Sequence, residues 1–388
     1  MAERIVLEGF NRFGGQHCQT TALKSCLGYL GLDLSEEMLL GLGGGIGFIY
    51  WYMKKMPAAF VGGRAGKDED FLANACSRLG IKARLLKTSS RKKADEELKG
   101  ILRQGKPAFV FVDMAYLPYL AMPEEAHFGS HAIVVYGLDE EAGLAYVSDR
   151  AAKPLELGLD DLKKARSSPH PPFPAKNRLL EIVSRPEKTD LRPGIVAALR
   201  ETHQAMIKPP IKNFGLAGLK KWADLIAAWP AQFKGLNLLG CLLNTFIYIE
   251  IGGTGGAAFR EMYARFLEEA AGVLKRPELK DLAGLFFGSA QVWRQVAAAA
   301  LPESWPTLSR MRSLLVEKNR LFEQQPPQAL EKALAINAEL DELMKRAAAE
   351  LTENNPGPLL DHLRQKVVEV SQKEGLAFAR LGEIIASW

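Results

Sequence analysis

The chain has 388 residues, with 50 Lys and Arg against 45 Asp and Glu, a net charge of +5, 47% hydrophobic residues and 24% charged ones. That length exceeds what one hydrophobic core supports, so two domains are expected, and the ordinary balance of apolar and charged residues describes a globular chain. So small a charge argues against nucleic acid as a partner, because runs such as Arg91-Lys92-Lys93 and Lys163-Lys164 sit beside acidic residues, as on solvated helix faces.

The segment Gly14-Gly15-Gln16-His17-Cys18-Gln19-Thr20-Thr21 leads into Ala22, Leu23, Cys26, Leu27 and Leu30. These apolar residues recur at helical steps, and Gly31 is placed to end the helix they predict. Cys18 then falls in the first turn, where unpaired N–H groups and the positive end of the dipole favour a thiolate. Most free cysteines are small buried hydrophobes, so a catalytic reading needs a base and an orienting group within reach.

Ser35-Glu36-Glu37-Met38 predicts a further helix start, followed by the glycine-rich Gly41-Leu42-Gly43-Gly44-Gly45-Ile46-Gly47. That run lacks the Lys-Ser/Thr of a phosphate loop and does not fit GxGxxG, so a close-packed turn is expected rather than a nucleotide site. A helix over 67–79, a strand over 81–86, a helix over 92–104 and a buried strand over 107–112 follow. Residues 132–136 and 144–147 predict two strands of a hairpin. Pro169, Pro171, Pro172 and Pro174 mark a loop, and 179–183 reads as a last strand. From about residue 190 onward the periodicity is helical throughout, interrupted at Pro209-Pro210, Pro326-Pro327 and Asn354-Asn355-Pro356.

Cysteines at 18, 26, 76 and 241 form no CxxC pair and no disulfide framework, which suits a reducing compartment. The N-terminus carries no apolar run of signal-peptide length, and the most apolar stretch, Leu236 to Ile251, contains Asn237, Asn244 and Glu250. A cytoplasmic protein without a membrane span is expected, and that stretch is expected to be a buried helix.

The hairpin carries the functional inference. If Leu138 faces Leu144, antiparallel partners sum to a constant, so Ile133 faces Asp149 and His131 lies one diagonal step away on the same face. A one-residue slip would separate them. A thiol at a helix N-terminus, a histidine and a carboxylate are the parts of a nucleophilic triad: Cys18 attacks an acyl carbon, His131 moves the proton and Asp149 fixes the imidazole tautomer. The Cys18 N–H, with Gln16 or His17, is the candidate oxyanion donor.

Three segments resemble the N-terminal domain of the butirosin biosynthesis protein H family: Gln16-His17-Cys18 with its helix, the stretch Ser35 to Tyr50, and His127-Phe128-Gly129-Ser130-His131-Ala132-Ile133-Val134-Val135. In the second half, Glu250-Ile251-Gly252-Gly253-Thr254-Gly255-Gly256, Phe259-Arg260, Tyr263 and Phe266-Leu267-Glu268-Glu269-Ala270 resemble the helical domain of unknown function that accompanies it. The resemblance implies an α+β architecture. It consists of a papain-like cysteine acyltransferase domain with an antiparallel sheet over 1–188, then an all-α domain over 189–388 that completes the acceptor and carrier-protein site. It further implies transfer from an acyl carrier protein or CoA thioester to a small amine-type acceptor, with no cofactor beyond that phosphopantetheine-type donor. Cys18, His131 and Asp149 match the family's nucleophile, base and orienter. Exporter peptidases of similar fold place an oxyanion glutamine about two turns before the cysteine, where this chain offers Asn11, and its glutamine is Gln16. Gly44 and Gly45, with Tyr50 after them, are implied to border the acyl site.

Arg64 and Asp113 are further cleft candidates, for which surface pairing is the plainer expectation. Glu250, Arg260 and Tyr263 are candidates for recognising a polar acceptor, although helix capping accounts equally well for the glycine run beside them. Lys208, Lys212, Lys220 and Lys221 lie near Trp222 and Trp229 and suggest a dock for an acidic carrier protein. His127 and His131 have no third ligand in the pattern, so no metal is expected. Two rival readings remain: a peptidase or thioesterase using the same residues, and a binding protein in which Cys18 is inert. A homo-oligomer is compatible with either.

Overall fold

The computed structural model describes residues 2–123, 125–325 and 328–388; the expected interruption at Pro326-Pro327 lies outside the described residues. The chain groups into two compact units. The first comprises Met1–Leu39, Asp68–Thr189 and Lys318–Asn337, and the second Leu40–Lys67, Asp190–Glu317 and Ala338–Trp388. One cut falls at Thr189/Asp190. Residues 40–67 and 318–337 cross it, so neither unit is a contiguous stretch of chain. Composition marks where strands give way to helices, but not which segments fold back.

Strands are numbered in chain order: β1 (Arg4–Val6), β2 (Ile49–Trp51), β3 (Phe60–Gly62), β4 (Lys82–Leu86), β5 (Ala108–Val112), β6 (His131–Asp139), β7 (Leu144–Ser148), β8 (Leu155–Gly158) and β9 (Leu179–Ser184). In the first unit they form an antiparallel sheet of order β4-β9-β5-β6-β7-β8, with β1 added on β6. β5 and β6 are central because their sequences are almost entirely apolar and buried, which suits strands covered on both faces. Helix Cys18–Tyr29 packs on β5 and β6, burying Ala22, Leu23, Cys26 and Leu27 as its periodicity predicts. Strand β8 and helix Leu159–Ser167 are additions that sequence patterning did not supply.

The β6–β7 register differs from the expected one near the turn and agrees with it at the far end. Asp139 pairs with Leu144 and Leu138 with Ala145, one residue off. The ladder shifts between Val135 and Gly137, so that Val134 pairs with Ser148. Tyr136 is the extra residue of a β-bulge. Beside it, Gly137 is tightly enclosed: a Cβ there would lie 3.0 Å from the Tyr146 ring and 3.1 Å from the Ile5 carbonyl oxygen. Beyond the bulge the Val134–Ser148 pair has the expected register, and His131 reaches Asp149, the residue after β7.

The second unit is helical apart from the β2–β3 hairpin. Helix Glu278–Ala300 packs against Arg260–Leu274 and Gly357–Ala386 around the buried Trp222, Trp229 and Trp293. The apolar stretch expected to be one buried helix is α-helical over Leu236–Phe246 and π-helical over Ile247–Ile251. Among the described residues no helix is long and apolar enough to cross a membrane.

Candidate active site

Three chain ends converge at one end of the sheet in the first unit. β5 stops at Val112, which pairs with His131 at the start of β6, and β7 stops at Ser148, just before Asp149. His131 Nε2 donates to Asp149 Oδ2 at 2.7 Å. Both side chains are buried, with 5% and 0% exposure. The thiol of Cys18 is in hydrogen-bond contact with the same imidazole, and because Nε2 is taken by Asp149, Nδ1 is the nitrogen left for the sulfur.

The electrostatics follow from this sandwich. Burial alone opposes a charged imidazole, but the Asp149 carboxylate and the Cys18 contact outweigh it and raise the His131 pKa to about 10. Burial likewise opposes the Asp149 charge, and the charge and hydrogen bond of His131, with Arg150, turn the balance and lower its pKa. Cys26, Cys76 and Cys241 are buried and their thiols are pushed up by desolvation, Cys76 and Cys241 to about 12, whereas Cys18 is only partly buried. Helix Cys18–Tyr29 begins at Cys18 as expected, with His17 as its N-cap.

Glu36 holds the loop in front of that helix. Its Oε2 accepts the Gln16 N–H at 2.9 Å. Its Oε1 accepts the Thr20 and Thr21 hydroxyls at 2.8 and 2.7 Å and lies 3.4 Å from the His17 N–H. The backbone donors of Gln16 and His17 are therefore occupied, whereas the first N–H groups of the helix, that of Cys18 among them, have no intrahelical carbonyl to bond. Asn11 is solvent-exposed.

Sequence reasoning did not single out Glu36, Tyr119 or Arg150 as parts of the site. Tyr119 donates its hydroxyl to Asp149 Oδ2 at 3.1 Å, and burial followed by the Asp149 charge keeps that phenol protonated. Arg150 donates its backbone N–H to Asp149 Oδ1 at 2.7 Å and its guanidinium to the Gln16 carbonyl at 2.9 Å. Adjacency to Asp149 was the one signal for Arg150; nothing local marked Tyr119.

Asp113 is not on the surface but fully buried in the first unit. It accepts the Ser168 hydroxyl at 2.5 Å, His127 Nδ1 at 2.9 Å and the Phe128 N–H at 3.0 Å, fixing the loop that precedes His131. The remaining candidates belong to the second unit. Arg260 and Tyr263 are completely buried, so they are core residues rather than an acceptor surface. Arg260 forms a two-pronged pair with Glu374 at 2.5 and 2.9 Å and donates to the Gly47 and Gly63 carbonyls. Gly44 and Gly45 form the close-packed turn, where a Cβ on Gly45 would lie 2.7 Å from the Tyr263 ring. Tyr50 is buried and accepts from Trp229 Nε1 at 3.3 Å, and the Arg64 guanidinium lies 5.8 Å from the Phe259 ring centre. Glu250 is partly buried, 3.7 Å from Arg294, and burial raises its pKa. Trp222 and Trp229 are wholly buried, so the basic segment around Lys208 to Lys221 does not present them for docking.

Residues 17–150 match the family described as butirosin biosynthesis protein H, N-terminal, and residues 160–313 match a domain of unknown function (DUF4872). No curated protein matches the chain significantly.

Proposed function

The chain belongs to the butirosin biosynthesis protein H-like family, and on that premise we propose that it is a cysteine-dependent acyltransferase acting from a carrier-protein or CoA thioester onto an amine-type acceptor. The observation that carries this reading is the Cys18–His131–Asp149 line, a thiol and a buried carboxylate on opposite sides of one imidazole. Such an arrangement favours a thiolate–imidazolium pair, the form in which cysteine attacks an acyl carbon.

In the first half-reaction the Cys18 thiolate attacks the thioester carbonyl. An S–C bond forms, the donor C–S bond breaks, and the departing thiolate takes the proton from His131. In the second, an amine attacks the acyl-Cys18 carbonyl, the C–N bond forms, and Cys18 leaves as thiolate while His131 takes up the amine proton. Asp149 holds the imidazole in one tautomer through both steps. The Cys18 N–H and the Gln16 carboxamide are the proposed oxyanion donors. The phosphopantetheine arm of the donor is substrate, and no resident cofactor is invoked.

Mass spectrometry of the intact chain with an acyl-phosphopantetheine thioester tests the reading. Wild-type protein is expected to gain one acyl mass at Cys18 and Cys18→Ala none. Loading that persists in Cys18→Ala would refute the nucleophile. Release of free acid irrespective of added amine would favour the hydrolase reading.

A further inference from the structure

The helix Pro306–Gln324 leaves the second unit and ends in the first, whose third segment begins at Lys318. Both family matches stop before that segment. Yet its residues lie against the two side chains that hold the site. Arg150 donates to Asn319 Oδ1 at 3.2 Å, its guanidinium carbon sits 4.8 Å from the Phe322 ring centre, and Glu323 lies 3.8 Å away. Glu323 also accepts from Asn319 Nδ2 at 2.9 Å, fixing the amide that receives Arg150. The Phe322 ring also lies nearly parallel to Tyr119, at 11° and 6.5 Å. Lys318 and Asn337 both donate to the Ala121 carbonyl, at 3.0 and 2.7 Å, at the end of the turn that carries Tyr119.

Each contact continues inward to the triad. Arg150 grips the Gln16 carbonyl two residues before Cys18, its own N–H holds Asp149, and its carbonyl accepts the Gly15 N–H at 2.8 Å. Tyr119 holds the Asp149 oxygen that also receives His131. Arg150 is 8% exposed, so its guanidinium is largely desolvated, and the aromatic face and amide oxygen beneath it take the place of water. A buried arginine on a flexible stem grips one carbonyl reproducibly only when its other donors are fixed.

We propose that Asn319 and Phe322 are positioning residues of the triad. Phe322 acts through Arg150 on the Gln16-His17-Cys18 loop and through Tyr119 on Asp149; Asn319 acts through Arg150. The segment Lys318–Asn337 thereby supports the triad from outside it. This rests on the triad reading above.

The test is the pH dependence of iodoacetamide alkylation at Cys18, followed by peptide mass on the full chain, so that no acyl donor is needed. Phe322→Leu keeps apolar bulk but removes the aromatic face, and Asn319→Ala removes the amide oxygen. Each is expected to slow alkylation near neutral pH about tenfold and to move the profile upward, and Phe322→Tyr is expected to restore it. His131→Ala is the reference for a broken triad. A profile moved by His131→Ala but by neither Phe322→Leu nor Asn319→Ala overturns the brace and leaves the triad standing. A profile that His131→Ala does not move overturns the triad reading and the brace with it. Should Phe322→Leu not fold, Asn319→Ala carries the test alone, and a lowered melting temperature with an unmoved profile counts against the proposal.

Discussion

Asp149→Asn preserves volume and removes one charge at a fully buried position, which makes it the sharpest probe of the site. Oδ2 accepts from His131 and Tyr119 and Oδ1 from the Arg150 N–H, so the carboxylate receives three donors. An amide cannot. With its oxygen kept opposite Arg150, the new NH2 faces Nε2 of His131, which must give up its proton to accept. The imidazole proton then moves to Nδ1, the nitrogen facing Cys18, and the base can no longer take the thiol proton. A hydrogen bond to a charged group contributes about 1.5–3 kcal/mol, and each 1.4 kcal/mol is a factor of ten, so alkylation and acyl loading of Cys18 are expected to fall by about 10- to 100-fold at pH 7. Stopped-flow alkylation with mass readout at Cys18 measures this, the other three cysteines being buried. A rate within about twofold of wild type would refute the argument that the His131 tautomer is set by Asp149.

Three further outcomes follow from the same geometry. Glu374→Ala leaves Arg260 charged and unpaired at complete burial, so urea unfolding should show a loss of about 3–5 kcal/mol, with Glu374→Gln milder; a change below about 1 kcal/mol would contradict the buried pair. Because the folded-state pKa of His131 is raised to about 10, its contribution to stability is complete below its unfolded value near 6.5 and is lost as pH rises through 10. His131→Ala should flatten that part of the stability curve, and a curve of unchanged slope would rule the linkage out. Gly45→Ala puts a Cβ 2.7 Å from the Tyr263 ring at a φ of +63°, so a loss of about 1–3 kcal/mol is expected in thermal unfolding; neutrality would show that the turn relaxes freely.

The Cys18 helix was legible because a 3.6-residue apolar period and a glycine stop are local facts. The His131–Asp149 pair was legible through a register whose starting pair was wrong: Leu138 faces Ala145, not Leu144, and the Tyr136 bulge restores the count before the site is reached. No alternation announces that bulge, since residues 131–138 are all buried. Charged and polar residues after a glycine run suggest recognition groups at Arg260 and Tyr263, yet both are buried. Their true partners are remote in sequence: Glu374 pairs with Arg260 from 114 residues away. The supports of the site are hidden for the same reason, since Glu36, Tyr119 and Phe322 reach it only through the folded chain. Four-residue β8 and the nine-residue helix after it are too short for a period to register.

Glu36 bears on which donors the proposed chemistry suits. The Glu36 side chain takes the Gln16 N–H directly and lies 3.4 Å from the His17 nitrogen, engaging two backbone donors of the residues that the sequence offers as oxyanion candidates. At the helix start the Cys18 N–H is a further backbone donor, aided by the dipole of that helix and by any side-chain donor in the loop. Amide cleavage depends heavily on oxyanion stabilisation because its leaving group is poor. Exchange between one thioester and another is near-balanced and its leaving thiolate is good, so it proceeds with less. On the proposed acyl-transfer reading, a loop with these two donors taken suits a thioester donor, whose good leaving group asks least of the oxyanion site, and the residue that takes them, Glu36, is also the one that ties the Gln16 N–H to the Thr20 and Thr21 hydroxyls around Cys18.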